Sequence, residues 1–135
     1  KERKHLLHEI AEYARYQAER EKKISQGETI SKNEKWVKTL NYLFSQHPSD
    51  WKLAVVEADT MLESLLDQLG LSGETLGDKL KSADKNKFRG LGSAWEVHTV
   101  RNKIVHEGVS FELSQHEAKR IIALYEQTFR EYGFI

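Results

Sequence analysis

Apolar residues recur at three- and four-residue intervals along most of this 135-residue chain, and a single proline, Pro48, interrupts the pattern. That spacing places the apolar side chains on one face of an α-helix, whereas the alternation typical of strands is too weak to build a sheet. The length suits one domain with one core, covering residues 1–135. We therefore expect an all-α fold, an antiparallel up-down bundle of about five helices, because most connections are short.

The same pattern predicts where the helices begin and end. The stretch 50–69 is the most hydrophobic, so we expect it to form the centre of the core. The expected elements are long helices at about 4–25, 33–46, 50–69 and 93–107, a final helix that follows Ser114, a short helix at 74–81 within the loose connection 71–92, and an extended piece at 109–113.

Three of the predicted helix starts carry a capping signal. Ser31 and Ser114 each precede a Glu by three residues, which is the capping-box pattern. After the proline breaks the chain, Ser49 or Asp50 is expected to cap the next helix through its side-chain oxygen.

The charge balance and the missing cysteines exclude several classes of protein. Lys+Arg and Asp+Glu number 21 each, so the chain is not expected to coat nucleic acid by charge alone and carries no DNA-specific signal. A small local phosphate site stays compatible with this balance. The absence of Cys excludes disulfides, zinc-thiolate sites and thiol nucleophiles. His5 and His8 have no further ligand at metal-site spacing, so we expect no metal ion and no cofactor.

No apolar run approaches the roughly 20 residues that span a bilayer, and no signal peptide is visible. We therefore expect a cytoplasmic protein with no membrane segment in this chain. The first residue is Lys1 rather than Met, and the helical pattern has already begun there. The chain is thus compatible with a fragment of a longer protein, and an upstream membrane anchor stays open.

The fourth long helix carries an unusual line of polar side chains. Trp95, His98, Asn102 and His106 repeat at three- and four-residue steps, so they stack along one face, and Arg101 can swing toward them. Asn and His are mediocre helix formers, so helix propensity does not explain their presence. For His106 alone, a favourable interaction with the negative end of the helix dipole is an equally good explanation.

Asp59 lies at the edge of the apolar face of the third helix. A carboxylate at a core boundary needs a partner, because burial without one is costly. Arg101 or a histidine of the fourth helix is the expected partner. The sequence leaves open whether this contact is an ion pair that holds two helices together or part of a functional site.

At the fourth helix the chain resembles the HEPN superfamily of small helical bundles. The motif of that family is an Arg, four to six residues, then a His, often with Asn directly after the Arg; here it reads Arg101-Asn102-Lys103-Ile104-Val105-His106. A looser likeness extends over residues 51–135 and looks like bacterial HEPN-like proteins of unassigned function. One subset of the family has a Tyr two residues after the His, where this chain has Gly108, so regulation through that Tyr is not transferred.

The resemblance implies a metal-independent endoribonuclease, often a toxin or defence effector, that forms a homodimer with two motifs facing one cleft. His106 would transfer a proton, Arg101 would hold the phosphate, and Asn102 would orient its neighbours, with His98, Asp59 and Trp95 in support. The Arg101 and His106 side chains should then reach one solvent-open hollow.

Two alternatives stay open. A non-catalytic HEPN-like module would bind RNA, a nucleotide or a protein, or would serve dimerisation. The other alternative is a purely structural domain of a membrane-anchored or multidomain protein.

Overall fold

The computed structural model describes residues 31–84 and 88–135, together with Ala14, Arg15 and Ala18. This part of the chain is all-α and contains no strand, as the periodicity predicted. The helix predicted over 4–25 lies almost wholly outside the described residues. The helices are α1 (Ser31–Leu43), α2 (Pro48–Gln68), α3 (Leu76–Ser82), α4 (Leu91–Glu107) and α5 (Gln115–Glu131), with a 3-10 turn at Gly108–Ser110.

Helix α2 forms the centre of the bundle, as its hydrophobic sequence predicted. It packs against each of the other four helices. Its buried face is built from small and branched side chains, among them Ala54, Val55, Leu62 and Leu66, none of which is more than 1% exposed. Because α2 contacts every neighbour, a polar side chain on its buried face can meet groups from several helices at once. The antiparallel up-down order of the helices stays a prediction.

The start of α2 differs from the expected one. Pro48 is the first residue of the helix, and His47 occupies the N-cap position without a side-chain hydrogen bond. Proline suits this position because its fixed φ matches a helix and the missing N–H has no helical partner there. Neither Ser49 nor Asp50 caps α2, so that prediction was wrong. Instead, the Ser45 hydroxyl donates to the Asp50 carboxylate at 2.6 Å.

The cap predicted for the last helix is confirmed. The backbone N–H of Glu117 donates to the Ser114 hydroxyl at 3.0 Å. The Glu117 carboxylate accepts from Arg120 and does not complete a capping box. The cap expected at Ser31 depends on a side chain outside the described part.

The segment between α4 and α5 is only partly extended. Gly108–Ser110 forms a 3-10 turn, and the extended conformation begins at Phe111. The Ser110 hydroxyl donates to the Glu107 carbonyl at 2.6 Å, and the Phe111 N–H donates to the Gly108 carbonyl at 3.2 Å. These local bonds explain why the expectation of extended chain over 109–113 was wrong for its first residues.

Candidate functional site

Helix α4 presents two different faces. Ala94, Val97 and Ile104 are buried in the common core and fix the rotation of the helix. That rotation turns Trp95, His98, Arg101 and Asn102 toward one groove.

The groove has a volume of about 620 Å³. That size is within the range of small-molecule sites in proteins. Its walls come from α2, from the turn and helix α3, and from α4, and the lining residues are Asp59, Thr60, Glu63, Glu74, Thr75, Leu76, Gly77, Asp78, Lys81, Trp95, His98, Arg101 and Asn102. Sequence analysis predicted the α4 wall and Asp59. It did not predict that residues 74–81 form a wall of the groove. The sequence of this loose connection, with its one short helix, does not indicate which part of the bundle it packs against.

Asp59 is a buried acidic residue of this groove that contacts side chains from two other helices. Its side chain is 4% exposed, and its two oxygens have different partners. Oδ2 lies 3.1 Å from His98 Nδ1, and Oδ1 accepts from the Tyr125 hydroxyl at 2.8 Å. The Arg101 Nε atom lies 3.6 Å from Oδ2, an ion-pair distance. Asp59 therefore has both of the expected partners, Arg101 and a histidine of α4. With Tyr125 these four side chains join α2 to α4 and α5.

Tyr125 is a member of the site that the sequence did not reveal. In the sequence it belongs to the apolar stripe of the last helix. The general rule that a buried tyrosine hydroxyl finds a hydrogen-bond partner was the only available signal. Burial, followed by the nearby Asp59 carboxylate, raises the pKa of the Tyr125 hydroxyl well above its ordinary value. Tyr125 therefore remains a proton donor to Asp59.

His98 is held in one orientation by Asp59. The residue is 8% exposed. Because a carboxylate accepts and cannot donate, the neutral ring carries its proton on Nδ1 and keeps the lone pair on Nε2. Nε2 is on the side of Gly77, where an added Cβ would be 3.6 Å away. It makes no hydrogen bond with the described residues, and the ring borders the groove.

Arg101 and Asn102 are joined to each other beside this histidine. The Arg101 Nη1 group donates to Asn102 Oδ1 at 3.2 Å. This bond leaves the Asn102 amide nitrogen for other partners. The Arg101 side chain is 36% exposed, so its outer nitrogens reach solvent while its chain is packed. The arrangement offers guanidinium and amide N–H donors to an anion in the groove.

His106 is apart from this cluster. It is exposed, lies in the last turn of α4 and does not line the groove in a single chain. It follows Asn102 by one helical turn on the same side. Among residues 31–84 and 88–135 it has no hydrogen-bond or ion-pair partner. Two exposed valines flank it, Val105 at 55% and Val109 at 100% exposure.

The electrostatic character of the groove is mixed. Glu63, Glu74 and Asp78 contribute carboxylates, while Lys81 and Arg101 contribute cations. Within the described ranges no three His, Asp or Glu side chains come together in a way that could hold a metal ion. None of the helices described here has the length and apolar character needed to cross a membrane.

The site therefore brings together Asp59, Trp95, His98, Arg101 and Asn102, and leaves His106 on the adjoining surface. Its donors suit an anionic group, and the imidazoles of His98 in the site and of His106 beside it suit proton transfer. No protein-family model, no curated protein and no solved structure matches this chain. The likeness to the HEPN superfamily rests on the sequence, on the motif at Arg101–His106 and the looser pattern over residues 51–135.

Proposed function

We propose that this chain is a HEPN-type, metal-independent endoribonuclease that acts as a homodimer on single-stranded RNA. The observation that carries the proposal is the exposure pattern of the motif. The Arg101 guanidinium and the Asn102 amide open onto a groove, and the exposed His106 imidazole, one turn further along α4, has no partner among the described residues.

Arg101 is suited to hold a phosphodiester. Its Nε atom faces Asp59, and Nη1 bonds Asn102, so the packed part of the guanidinium is fixed. The remaining N–H groups can donate to the non-bridging phosphate oxygens and stabilise charge that develops there. A fixed donor needs little reorganisation during the reaction.

His106 is suited to transfer a proton. In the proposed reaction, the RNA 2′-oxygen forms a bond to the adjacent phosphorus while the bond to the 5′-oxygen breaks. His106 takes the proton from the 2′-hydroxyl or gives one to the leaving 5′-oxygen. An imidazole can accept or donate a proton through its ring nitrogens and so can perform either task. The products are a 2′,3′-cyclic phosphate and a 5′-hydroxyl end.

The position of His106 supports a site shared by two chains. It lies outside the groove that Arg101 lines, so a second copy that faces this surface brings another motif to the same phosphate. The exposed side chains of Val105 and Val109 are apolar surface that such a contact would bury.

The test is incubation of the purified protein with single-stranded RNA in EDTA. We expect cleavage that leaves cyclic phosphate ends, and we expect His106→Ala to abolish it with an unchanged circular dichroism spectrum. His47→Ala is the matched control, because His47 is also exposed and lies outside the groove. Intact RNA after long incubation of a folded dimer would contradict the proposal.

A second candidate is a non-catalytic module of the same kind, which binds RNA, a nucleotide or a protein. Its support is the charge of the groove, where Glu63, Glu74 and Asp78 would repel a long polyanion. The zero formal net charge points the same way. Binding of a mononucleotide without any RNA cleavage, with equal affinity in wild type and His106→Ala, would favour this candidate.

A further inference from the structure

We propose that His98, oriented by Asp59, is a catalytic base that takes the 2′-hydroxyl proton, with His106 left as the acid. This inference rests on the proposed ribonuclease function and assigns a role to a histidine outside the Arg-Asn-x-x-x-His motif. The inference is based on three side chains that lie together at one groove. They are the buried carboxylate of Asp59, the imidazole of His98 and the partly exposed guanidinium of Arg101.

One of the two ring nitrogens of His98 is hydrogen-bonded, and the other has no partner among the described residues. Nδ1 is bonded to Asp59 Oδ2 at 3.1 Å, and Nε2 has no hydrogen-bond partner in the part of the chain that the structure describes. Gly77 faces Nε2, and even a methyl group there would be in van der Waals contact with it. The absence of a side chain at Gly77 therefore leaves space beside Nε2 for a substrate hydroxyl.

His98 is closer to the phosphate-binding groups than His106 is within one chain. It precedes Arg101 by three residues and Asn102 by four, a spacing that brings Cβ atoms to about 5–6 Å on a helix. All three side chains line the same groove. His106 is eight residues from His98, or about 12 Å along the helix axis. A phosphate held by Arg101 is thus adjacent to the His98 imidazole.

Asp59 has the position of an orienting carboxylate. It fixes the ring through Nδ1 and stabilises the imidazolium that forms when Nε2 accepts a proton. The Tyr125 hydroxyl donates to the other oxygen, and Arg101 Nε lies 3.6 Å from Oδ2, so the carboxylate stays in place when the ring changes charge. The other charged groups that line the groove with His98 are Glu63 from α2, Glu74, Asp78 and Lys81 from the α3 wall, and Arg101 on α4.

Two histidines of the chain accept and supply the protons that the proposed step requires. The 2′-oxygen gives its proton to His98 Nε2 as it bonds to phosphorus. The bond between phosphorus and the 5′-oxygen breaks, and the leaving oxygen takes a proton from the His106 imidazolium. Hydrolysis or solvent exchange then restores both rings, and no further reactant is required for cleavage.

The main test compares cleavage of a single-stranded RNA oligonucleotide by the wild type, His98→Asn and His47→Asn. Asparagine at position 98 can still donate to Asp59 from its amide, but it has no base at the place of Nε2. We expect a loss of about 100-fold or more in His98→Asn, in line with removal of a general base. We expect wild-type rates in His47→Asn, whose imidazole is exposed elsewhere.

Gly77→Ala supplies a variant that keeps the fold. The added methyl lies 3.6 Å from Nε2 and 3.8 Å from the Thr75 hydroxyl, which is ordinary contact without a clash. Cleavage should fall at least tenfold while the melting temperature stays equal or rises. An unchanged rate in this variant would argue against a role for Nε2.

Asp59 is tested as a positioning residue through the ring that it orients. In Asp59→Asn, nitrogen-15 spectra of His98 should show loss of the single Nδ1–H tautomer of the wild type. The acidic limb of the pH profile for kcat/KM should change with it. Loss of the tautomer follows from the lost hydrogen bond in any case, so an unchanged pH profile in the folded variant would indicate a structural role alone.

These experiments distinguish failure of the His98 assignment from failure of the proposed ribonuclease function. No cleavage by the wild type overturns both. Full cleavage by His98→Asn, with His106→Ala inactive, overturns the role of His98 and leaves the proposed ribonuclease function standing. A large loss in both variants supports the assignment of base and acid.

Discussion

Oδ2 of Asp59 lies 3.1 Å from Nδ1 of His98, so a carboxylate of the central helix meets an imidazole of α4 inside the bundle. The same carboxylate accepts from Tyr125 on α5. A buried carboxylate with partners on two other helices links the core to the wall of the groove. The stability of the bundle and the geometry of the candidate site therefore depend on the same few atoms.

Replacing Asp59 by Ala should destabilise the fold strongly. The change leaves the Tyr125 hydroxyl and His98 Nδ1 buried without their acceptor, and it removes the counter-charge of Arg101. Each buried donor left without its acceptor costs about 1–3 kcal/mol. Urea unfolding monitored by circular dichroism measures it.

The matched control for this prediction is Glu57→Ala on the same helix. Glu57 pairs with Lys38 at 3.4 Å, but both side chains are substantially exposed. Such surface pairs contribute about 0–1 kcal/mol, so the control should lose little. Equal losses in the two variants would show that the Asp59 cluster is not special.

Tyr125→Phe should change how stability depends on alkaline pH. The pKa of Tyr125 is raised in the folded state, so above about pH 10 the unfolded chain loses a proton that the folded chain keeps. Stability from this group is therefore present below pH 10 and declines as pH rises, by about 1.4 kcal/mol per pH unit. The phenylalanine variant should lack this component.

Urea unfolding at several pH values between 9 and 11.5 tests the prediction. Tyr42→Phe is the control, since it removes a hydroxyl that is not bonded to Asp59. The wild type and the Tyr42 variant should lose stability in parallel, and the Tyr125 variant should lose less. Identical slopes in all three proteins would contradict the assignment.

Gly73→Ala should disrupt the turn that leads into α3. Gly73 has φ of +148°, and an added Cβ would lie 2.7 Å from the backbone nitrogen of Lys79. Both the conformation and the clash are unfavourable, and backbone strain of this kind costs about 1–3 kcal/mol. Thermal unfolding should show a clear loss, and displacement of the α3 wall should reduce any activity of the groove.

Gly92→Ala is the contrasting variant on α4. Apart from the adjoining backbone of its own helix, no described atom lies within 4 Å of the Cβ that it would introduce, and the position is helical. Alanine in a helix is favoured over glycine by about 0.5–1 kcal/mol, so this variant should be as stable as the wild type or more so. If both glycine variants behaved alike, the special role of the Gly73 turn would be refuted.

The double variant Val105→Lys, Val109→Lys should convert the proposed dimer into a monomer. These side chains are among the most exposed large apolar residues described, and they flank His106. Lysines would place like charges opposite each other across a two-fold contact. Analytical ultracentrifugation should give twice the chain mass for the wild type and the single chain mass for the variant.

Leu69→Lys is the matched control for the dimer. Leu69 is 40% exposed at the C-terminal end of α2, away from the last turn of α4. It should sediment like the wild type. A wild-type protein that is monomeric at high concentration would count against a site composed of two chains.

The helices themselves were largely predictable. The expected spans 50–69 and 93–107 correspond to α2 at Pro48–Gln68 and α4 at Leu91–Glu107. Periodicity and capping depend on residues three or four apart, and this local information is present in the sequence. The two errors concern the cap of α2 beside Pro48 and the extended segment after Gly108. Both lie at a single turn, where local backbone geometry determines the conformation.

The candidate site was predictable only in part. The polar line on α4 and the need of Asp59 for a partner follow from one helix at a time. The roles of Tyr125 and of the α3 wall do not, because each depends on how a distant segment packs. Arg101 and Asn102 were expected at an open surface and line the groove there, whereas the place of His106 in a shared site stays a prediction.

The sequence by itself determined an all-α chain with its most hydrophobic helix at the centre, because burial of an apolar face is a property of each helix alone. Only the tertiary structure decided that Asp59 meets His98 and Tyr125, which are 39 and 66 residues away along the chain. Such pairs depend on the rotation and packing of whole helices, and the free energy that selects them is shared among many side chains of the core.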